Sequence, residues 1–376
     1  MNVSILINNY NYSKYLQFCI NSLLSQTYKN IEIIVYDDGS GDGSLDVLTE
    51  FGDKVQVISN PNYGHSANQN QANAIYQAFL KSKGDIICLL DSDDAFHEDK
   101  IEKIVTTFAA DNTITTVQNL LNEINGQDEI MNKIRPVIKQ VEDIKSYIFK
   151  ESNFFHLFVA TSGLSFKRGF LEKVLPLKED NLTYVWPDAR LMTLSVFQGR
   201  IKTVMEPLTY YRIHGINDSN ARGTYEGHNT YLSQIYTYFN DVSKKNGYPE
   251  IQYSRESYLE NTYFYLNLDN TKLLTFCEDV RKSGIDLWIW GAGEAGQSIY
   301  HLLKKYNIKT RGFIDSNPVR NGEMIMHLPV HMPFKSPNAK YIISPFHAID
   351  AITRELRNFD LIEGEDFINP YGGEVV

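Results

Sequence analysis

Short apolar runs alternate with helix-like periodicity along the first hundred residues. Four runs rich in β-branched residues predict strands, at 3–7, 31–36, 55–59 and 85–90. Apolar residues recur at helical spacing between or after them, around 16–24, 67–79 and 101–108. Strands that alternate with helices are typical of a largely parallel sheet with crossover helices, so the pattern predicts an α/β fold.

The pattern changes further along the chain. We expect a strand near 115–121, a helix at 141–150 and a pair of strands within 199–214. A Tyr-rich segment, 217–282, predicts helices, and one apolar stripe within it favours packing over a ligand platform. That stripe consists of Tyr231, Ile235, Tyr236 and Phe239.

A new strand, glycine turn, helix and strand begin at 286, which places a domain boundary near Gly284. The sequence thus predicts three parts: an α/β domain at 1–219, a helical connector at 220–283 and a small Rossmann-like domain at 284–376.

Composition and charge narrow the class of protein. A chain of 376 residues with 43% hydrophobic residues predicts a globular protein of two or three domains. Its net charge of −10 disfavours nucleic acid as a partner. Cys19, Cys88 and Cys277 are far apart and lack CxxC spacing, so we expect neither a disulfide framework nor a zinc site, and a reducing compartment fits best. No apolar run approaches the length of a membrane span, and we expect a cytoplasmic protein whose membrane contact is at most peripheral.

Polar clusters follow three of the predicted strands, at 8–11, 37–44 and 91–94. The carboxyl ends of parallel strands meet at one edge of a sheet, where ligands of such folds bind. In the second cluster, Asp38 stands before a glycine, where a carboxylate can accept a nucleobase N–H; helix capping is the alternative. In the third, Asp91 and Asp93 suit a hard divalent cation that also takes phosphate oxygens, although an acidic surface turn would look the same.

Three blocks in this order resemble family-2 glycosyltransferases with the GT-A fold. They cover 1–219 and read SILINNYNYSKYLQFCINSLLSQTYKNIEIIVYDDGSGDGS, NYGHSANQNQANAIYQAFLKSKGDIICLLDSDD and PLTYYRIHGINDS. The resemblance implies a nucleotide-diphospho-sugar transferase domain with a mixed, mostly parallel sheet.

The resemblance also implies roles for single residues at the nucleotide. Asn8 and Tyr10 would lie against the nucleobase, and Asp38 would accept its imide N–H. Asn70 would contribute to nucleotide binding. Asp91 would hold the ribose or a metal-bound water.

Further roles implied by the resemblance concern the metal and the diphosphate. Asp93 would bind a divalent cation, Mn²⁺ or Mg²⁺, directly, and His214 would lie near the diphosphate or the metal. A structural role for His214 is the alternative. Arg212 and Ser219 belong to the same block and are candidate diphosphate contacts.

The chain departs from the family pattern at two positions. Gln69 stands where the family usually has arginine beside Asn70, so the metal, His65 or Arg212 must meet the phosphate charge. The acidic pair that supplies the family's catalytic base is reduced to Asp188, which follows Pro187. Proline and aspartate both suit the first turn of a helix, so Asp188 is either the base or only a helix-start residue.

The third part contains the sequence GAGEAG between a strand and a helix. Its glycines, Gly291, Gly293 and Gly296, with Asp315 at the end of the next strand, form a dinucleotide-binding fingerprint. The segment also resembles small Rossmann-like modules attached to bacterial sugar-modifying enzymes. We therefore expect either a structural or protein-contact role or a second nucleotide site.

Together these observations favour a metal-dependent inverting glycosyltransferase. The expected donor is a nucleotide sugar, with UDP-sugars favoured, and the expected acceptor is a bacterial-type surface glycan precursor, free or lipid-linked, at the inner face of the membrane. Two alternatives remain: a nucleotidyltransferase acting on sugar phosphates, and a nucleotide-sugar-sensing module built on the GAGEAG turn. The sugar, the linkage and the oligomeric state are left open by the sequence.

Overall fold

The computed structural model describes residues 1–136, 138, 140–154, 157–178, 180–214, 225–254, 259, 268–345 and 348–371, without the side chains of 132 and 225–229. The chain forms two compact units, Met1–Tyr253 and Ser254–Val376. The predicted connector is divided between them, since helix Tyr225–Lys245 lies in the first unit and helix Asn270–Ser283 in the second. This division differs from the predicted boundaries at 219 and 283.

The first unit is built on a mixed sheet of nine described strands. They are β1 Val3–Asn9, β2 Ile31–Asp37, β3 Gln56–Ser59, β4 Ile86–Asp91, β5 Ala95–Phe96, β6 Ile114–Ile124, β7 Ile130–Arg135, β8 Leu164–Lys167 and β9 Arg200–Arg212. The strand order is β3-β2-β1-β4-β8-β6-β9-β5, and β7 pairs with β6. The first four neighbours in this order are parallel, whereas β8 runs antiparallel to β4 and to β6. The expected α/β class with a mostly parallel amino-terminal sheet is confirmed.

Helices cover both faces of this sheet. Their bounds are α1 Ser13–Leu24, α2 Ser44–Thr49, α3 Ala67–Lys81, α4 Lys100–Ala110, α5 Ile144–Glu151, α6 Arg168–Val174, α7 Pro187–Gln198 and α8 Tyr225–Lys245. Side chains alternate across β1, so Ile5 and Ile7 pack in a cluster with α1 and α4, while Leu6 packs in a cluster with α3 and α7. Burial on both faces explains why the central strands are nearly continuous apolar runs.

One expected pair of strands forms a single long strand instead. The sequence predicts two strands within 199–214, yet β9 runs unbroken from Arg200 to Arg212 beside β6. The register between the two strands shifts around Leu120, which pairs with Pro207. A bulge therefore absorbs the proline that lacks an N–H donor, and no turn is needed.

The second unit contains a six-stranded sheet among its described residues. Its strands are β10 Asp286–Trp290, β11 Gly312–Ile314, β12 Met324–Ile325, β13 Leu328–His331, β14 Ala339–Ile343 and β15 Phe367–Ile368, and its helices are α9 Asn270–Ser283, α10 Glu294–Lys305 and α11 Ile349–Asn358. The order is β12-β13-β11-β10-β14-β15, parallel except for β12 with β13. Leu287 and Ile289 of β10 pack with α9 and α10, and Trp288 and Trp290 pack with α11.

Among the described helices, none combines the length and the apolar character that a membrane-spanning helix needs.

Candidate active site

A cavity of about 780 Å³ opens at the carboxyl ends of β1, β2 and β4. Its polar half is lined by residues that follow β1, β2 and β4, by the loop before α3 and by α3 itself; they are Asn8, Asn9, Tyr10, Tyr12, Asp38, Asn62, His65, Ala67, Asn70, Gln71, Ala74, Asp91, Ser92 and Asp93. The volume lies within the range of small-molecule sites in proteins.

The loop after β2 places Asp38 at one end of the cavity. Oδ1 of Asp38 accepts a hydrogen bond from the backbone N–H of Tyr63 at 2.9 Å, and Oδ2 accepts one from the side-chain amide of Asn62 at 2.9 Å. Burial raises the pKa of this carboxyl, and the neighbouring Asp37 adds to the rise, while the bonds from Tyr63 and Asn70 oppose it. Asp38 is thus held by the 62–63 loop while it lines the cavity.

Gly39 allows the two loops to approach this closely. Its φ is +76°, and a Cβ there would lie 2.5 Å from the backbone nitrogen of Asn62. A residue with a side chain would push the loops apart, which explains the glycine after the paired aspartates.

Asp91 ends β4 at the centre of the cavity. Its Oδ1 accepts hydrogen bonds from the side-chain amides of Asn8 (2.9 Å) and Gln71 (2.8 Å). Burial, then the charges of Asp93 and Asp188, raise the pKa of Asp91 to about 7. The structure therefore brings three carboxylates close enough together to repel one another.

Asp93 lines the cavity and is held by a stack of aromatic and basic side chains that are not part of the described lining. Its Oδ2 lies 2.9 Å from Nε2 of His214, and the His214 ring stacks on Tyr15 with centroids 5.3 Å apart. On Tyr15 also lies the guanidinium of Arg212, 4.5 Å from the ring centroid.

Arg212 differs from its predicted role as a diphosphate contact. Its side chain is fully buried, and Nε donates to the carbonyl of Asp93 at 2.7 Å. Nη1 donates to the carbonyl of Asn125 at 2.9 Å and pairs with Asp128 at 2.5 Å. The guanidinium is not part of the cavity lining, so in this structure it fixes the backbone of Asp93 instead.

A buried network supports the acidic loop from behind. The hydroxyl of Ser162 donates to Asp94 at 2.5 Å and accepts from the backbone N–H of Asp91 at 3.1 Å. The ammonium of Lys100 donates to the carbonyl of Ser162 at 2.6 Å and to Oγ1 of Thr209 at 2.9 Å. Burial lowers the pKa of Lys100 to about 7. These bonds fix the direction in which the acidic loop leaves β4.

Asp188 lies in the first turn of α7, after Pro187 at the first helical position. It lines the cavity, and its Oδ1 accepts from the backbone N–H of Ala189 at 2.7 Å. The position at a helix start stabilises the carboxylate form. Asp188 thus lines the same cavity as Asp91, and its negative charge contributes to the raised pKa of Asp91.

Arg190, two residues after Asp188, clamps the segment that precedes α7. Nη1 and Nη2 each donate to a carboxylate oxygen of Asp180 at 2.7 Å, and Nε donates to the carbonyl of Val185 at 2.7 Å. Further bonds reach the carbonyls of Lys178 and Leu182 at 3.2 Å. Such a bidentate, buried guanidinium fixes the backbone that leads into Asp188.

The charge of the cavity is strongly one-sided. Four described lining residues carry carboxylates, namely Asp38, Asp91, Asp93 and Asp188, whereas His65 is the single basic side chain in the described lining. An anionic ligand would be repelled here unless a cation came with it.

The donor atoms at Asp91 suit a hard cation. Asn8 Oδ1 and Gln71 Oε1 are buried and accept no hydrogen bond from the described part of the chain. No group of three or more His, Cys, Asp or Glu side chains is placed to hold a metal by itself within the described residues. Oxygen-rich sites with few protein ligands fit Mg²⁺ or Mn²⁺ that completes its shell with waters and phosphate oxygens.

The glycine turn of the second unit is tightly packed. Gly291 has a φ of +109°, and a Cβ at Gly296 would lie 1.9 Å from the carbonyl oxygen of Gly291. Asp315 accepts from the backbone N–H of Ala292 at 3.1 Å. The described bonds of Asp315 are thus made within the unit, and Gly293 directly precedes the helix α10. A second nucleotide site here stays a prediction.

The structure brings most of the predicted residues to one cavity. Those that line it are Asn8, Tyr10, Asp38, Asn70, Asp91, Asp93 and Asp188. His214 reaches the site through Asp93, Arg212 lies behind it, and Ser219 lies outside the described residues.

Sequence reasoning missed Gln71, Lys100 and Arg190. Gln71 lies one position beyond the motif residue Asn70, and it could have been found by extending the helical face of α3. The buried bonds of Lys100 and Arg190 join segments more than sixty residues apart or irregular loops, which no local pattern reveals.

Sequence comparison relates the chain to known glycosyltransferases. The sequence model described as Glycosyl transferase family 2 matches residues 4–175. An uncharacterised glycosyltransferase of Nostoc sp. is 34% identical over 273 residues, which span 70% of this chain and 83% of that protein.

Two solved structures align with the chain at low sequence identity. Residues 1–349 of S. aureus TarS in complex with UDP-GlcNAc align over 71% of this chain and 81% of that one, with 13% identity and a TM-score of 0.45. The mannosyltransferase PcManGT of Pyrobaculum calidifontis, in complex with GDP-Man and Mn²⁺, aligns over 63% of each chain, with 16% identity and a TM-score of 0.45. From its sequence match to the Nostoc relative and to the family model, the chain belongs to glycosyltransferase family 2.

Proposed function

We propose that this glycosyltransferase is a metal-dependent, inverting enzyme that moves a sugar from a UDP-sugar to a glycan acceptor. The observation that carries the proposal is the convergence of Asp91, Asp93 and Asp188 in one cavity with a surplus of negative charge. Such a cavity accepts a nucleoside diphosphate only together with a cation.

The polar half of the cavity is proposed to bind the nucleotide. Asn8, Tyr10 and Asn70 line it, and Asp38 offers carboxylate lone pairs beyond those used by Asn62 and Tyr63. A uracil imide N–H fits an acceptor of this kind, which favours UDP over nucleotides that present only acceptors there.

Asp93 and Asp91 are proposed to hold the cation and the ribose end of the donor. A bound Mn²⁺ or Mg²⁺ would neutralise charge on the departing diphosphate. The stack of Arg212, Tyr15 and His214 keeps Asp93 in place, so the carboxylate does not have to reorganise when the donor binds.

Asp188 is proposed to act as the general base. Its carboxylate takes the proton of the acceptor hydroxyl as that oxygen attacks the sugar carbon from the face opposite the leaving diphosphate. One C–O bond forms while the bond to the diphosphate breaks, which inverts the configuration. Its place in the cavity lining at the start of α7, with its charge acting on Asp91, supports this role.

The biological setting is proposed on separate grounds. Three free, buried cysteines suit a reducing compartment, which fits a cytoplasmic enzyme that acts on a surface glycan precursor. A lipid-linked precursor would bring the reaction to the inner face of the membrane.

The test is release of UDP from a panel of UDP-sugars and GDP-sugars, with and without Mn²⁺. We expect UDP release to require the cation, and Asp93→Asn and Asp188→Asn to lower it at least ~10²-fold. Asp46→Asn, on the exposed face of α2, is the matched control and should release UDP normally. Pyrophosphate as the product would indicate a nucleotidyltransferase, and tight donor binding without any product would indicate a sensor; either result contradicts the proposal.

A further inference from the structure

The part of the cavity lining that comes from outside the strand ends, the 62–65 loop and α3 is rich in aromatic residues, and we call it the aromatic half. Its described lining residues come from 154–161, from 184–193 and from α8; they are Phe154, Phe158, Val159, Ala160, Thr161, Tyr184, Trp186, Asp188, Ala189, Thr193, Tyr231 and Ile235, joined by Tyr211. Phe158, Tyr184, Trp186 and Tyr231 are only partly buried, so their faces remain accessible. This aromatic half is distinct from the polar half at the strand ends.

The backbone that carries the aromatic half is rigidly held. Arg190 bonds to the carbonyls of Leu182 and Val185 on either side of Tyr184. The backbone N–H of Tyr184 donates to Oε1 of Gln234 on α8 at 2.9 Å. A surface fixed in this way loses little conformational entropy when a ligand binds, as expected of a binding surface.

The chemistry of this half suits a sugar ring. Besides Asp188 its described lining carries no charged side chain, and aromatic faces alternate with the hydroxyls of Thr161, Thr193 and the tyrosines. A pyranose offers apolar C–H faces for the aromatic rings and hydroxyls for the polar groups. A uronate or phosphate would bring a negative charge beside Asp188 with no cationic partner among the described residues of this half, which costs free energy.

We propose that the aromatic half is the acceptor subsite and that it binds a neutral sugar ring stacked on Trp186, with the attacking hydroxyl directed to Asp188. This inference rests on the proposed transfer reaction for the role of the sugar as acceptor. The selection of a neutral ring depends only on the described lining. It assigns a class of acceptor that the family does not fix.

Trp186 offers a direct measurement. The chain has three tryptophans, and Trp288 and Trp290 are 7% and 1% exposed in the second unit, so Trp186 is the one that dissolved acrylamide reaches readily. Acrylamide quenching of tryptophan fluorescence is measured with UDP and Mn²⁺ present. The protein is titrated separately with cellobiose, chitobiose, digalacturonic acid and farnesyl phosphate to about 50 mM, a concentration at which binding with a millimolar Kd can be detected. We expect a neutral disaccharide to lower the quenching constant about twofold and digalacturonic acid to leave it unchanged.

Matched variants separate stacking from shape. Trp186→Ala should raise the Kd of the protective disaccharide, measured by calorimetry, about tenfold, and Trp186→Phe should restore most of the affinity because a ring face remains. Trp288→Phe, in the second unit, is the control and should leave the Kd unchanged.

Each outcome decides the inference. Equal protection by digalacturonic acid, protection by farnesyl phosphate alone, or no protection by any probe would overturn it. UDP binding is measured separately by thermal shift: UDP binding without sugar protection refutes the subsite and leaves the proposed function standing. Sugar protection without UDP binding or donor turnover refutes the proposed function and leaves the sugar-binding surface.

Discussion

Replacing Arg190 by methionine tests whether the clamp on the segment before α7 holds the active site together. Arg190 is 4% exposed and makes five hydrogen bonds, two to the Asp180 carboxylate and three to backbone carbonyls. Methionine keeps part of the side-chain volume but removes all five donors. The change therefore strands a carboxylate and three carbonyl groups that face the former guanidinium.

The size of the effect follows from this geometry. Removing one partner of a fully buried ion pair costs about 3–5 kcal/mol, but the Asp180 side chain is 23% exposed and keeps some hydration. Each lost neutral hydrogen bond adds about 1 kcal/mol or less where water can enter. We expect the free energy of unfolding to fall by about 2–4 kcal/mol, which lowers the Tm of a unit of this size by roughly 5–15 °C.

The measurement is urea and thermal unfolding followed by the emission of Trp186, the tryptophan of the first unit. Arg200→Met is the matched control because Arg200 pairs with Asp111 at 2.5 Å but is 62% exposed, so its loss should cost no more than about 0.5 kcal/mol. If Arg190→Met and Arg200→Met had equal midpoints, the clamp would contribute no more than a surface pair. The argument for a rigid segment before Asp188 would then fail.

The contacts of Tyr15, Asp38 and Asp180 lead to three further predictions. Tyr15→Leu should lower Mn²⁺-dependent UDP release at least about tenfold because Arg212 and His214 lose their shared ring, whereas Tyr15→Phe keeps the ring and should keep the rate; equal loss in both variants would contradict this. Asp38→Ala should cost about 1–3 kcal/mol in thermal unfolding because the 62–63 loop loses two hydrogen bonds, and an unchanged Tm would refute it. The pKa of Asp180 is lowered: burial would raise it, but the hydrogen bonds from Arg190 outweigh burial. The charged Asp180 therefore stabilises the folded protein above the unfolded pKa of about 3.9, and this stabilisation disappears as the pH falls through the lower folded pKa. The difference between the urea midpoints of the wild type and Asp180→Asn should thus be largest at pH 7 and shrink as the pH falls below about 3.9. A difference that stays constant with pH would show that the charge of Asp180 is irrelevant.

Local sequence patterns predicted the amino-terminal architecture well. The apolar runs at 3–7, 31–36 and 85–90 form the parallel strands β1, β2 and β4, because period and residue type are enough to define a strand buried on both faces. Convergence of Asp38 and Asp91 followed from that topology, since parallel strands end at the same edge.

Other features required the folded chain. The sequence placed Arg212 within a motif but could not show that its guanidinium turns inward to the carbonyl of Asp93. The predicted packing stripe of Tyr231, Ile235, Tyr236 and Phe239 does pack in one core cluster, but the sequence could not show that Tyr231 and Ile235 also line the cavity.

The sequence was enough to predict the alternation of strands and helices in the first hundred residues, the polar strand ends and the resemblance to the family. The clamp of Arg190, the stack on Tyr15 and the aromatic half of the cavity become visible only in the folded chain. The difference comes from the distance along the chain over which each feature is determined. Strand and helix periodicity depends on neighbours within a few residues. A buried guanidinium or an aromatic cavity wall instead depends on segments far apart in the chain, such as Gln234 with Tyr184, whose meeting is fixed by packing of the whole unit.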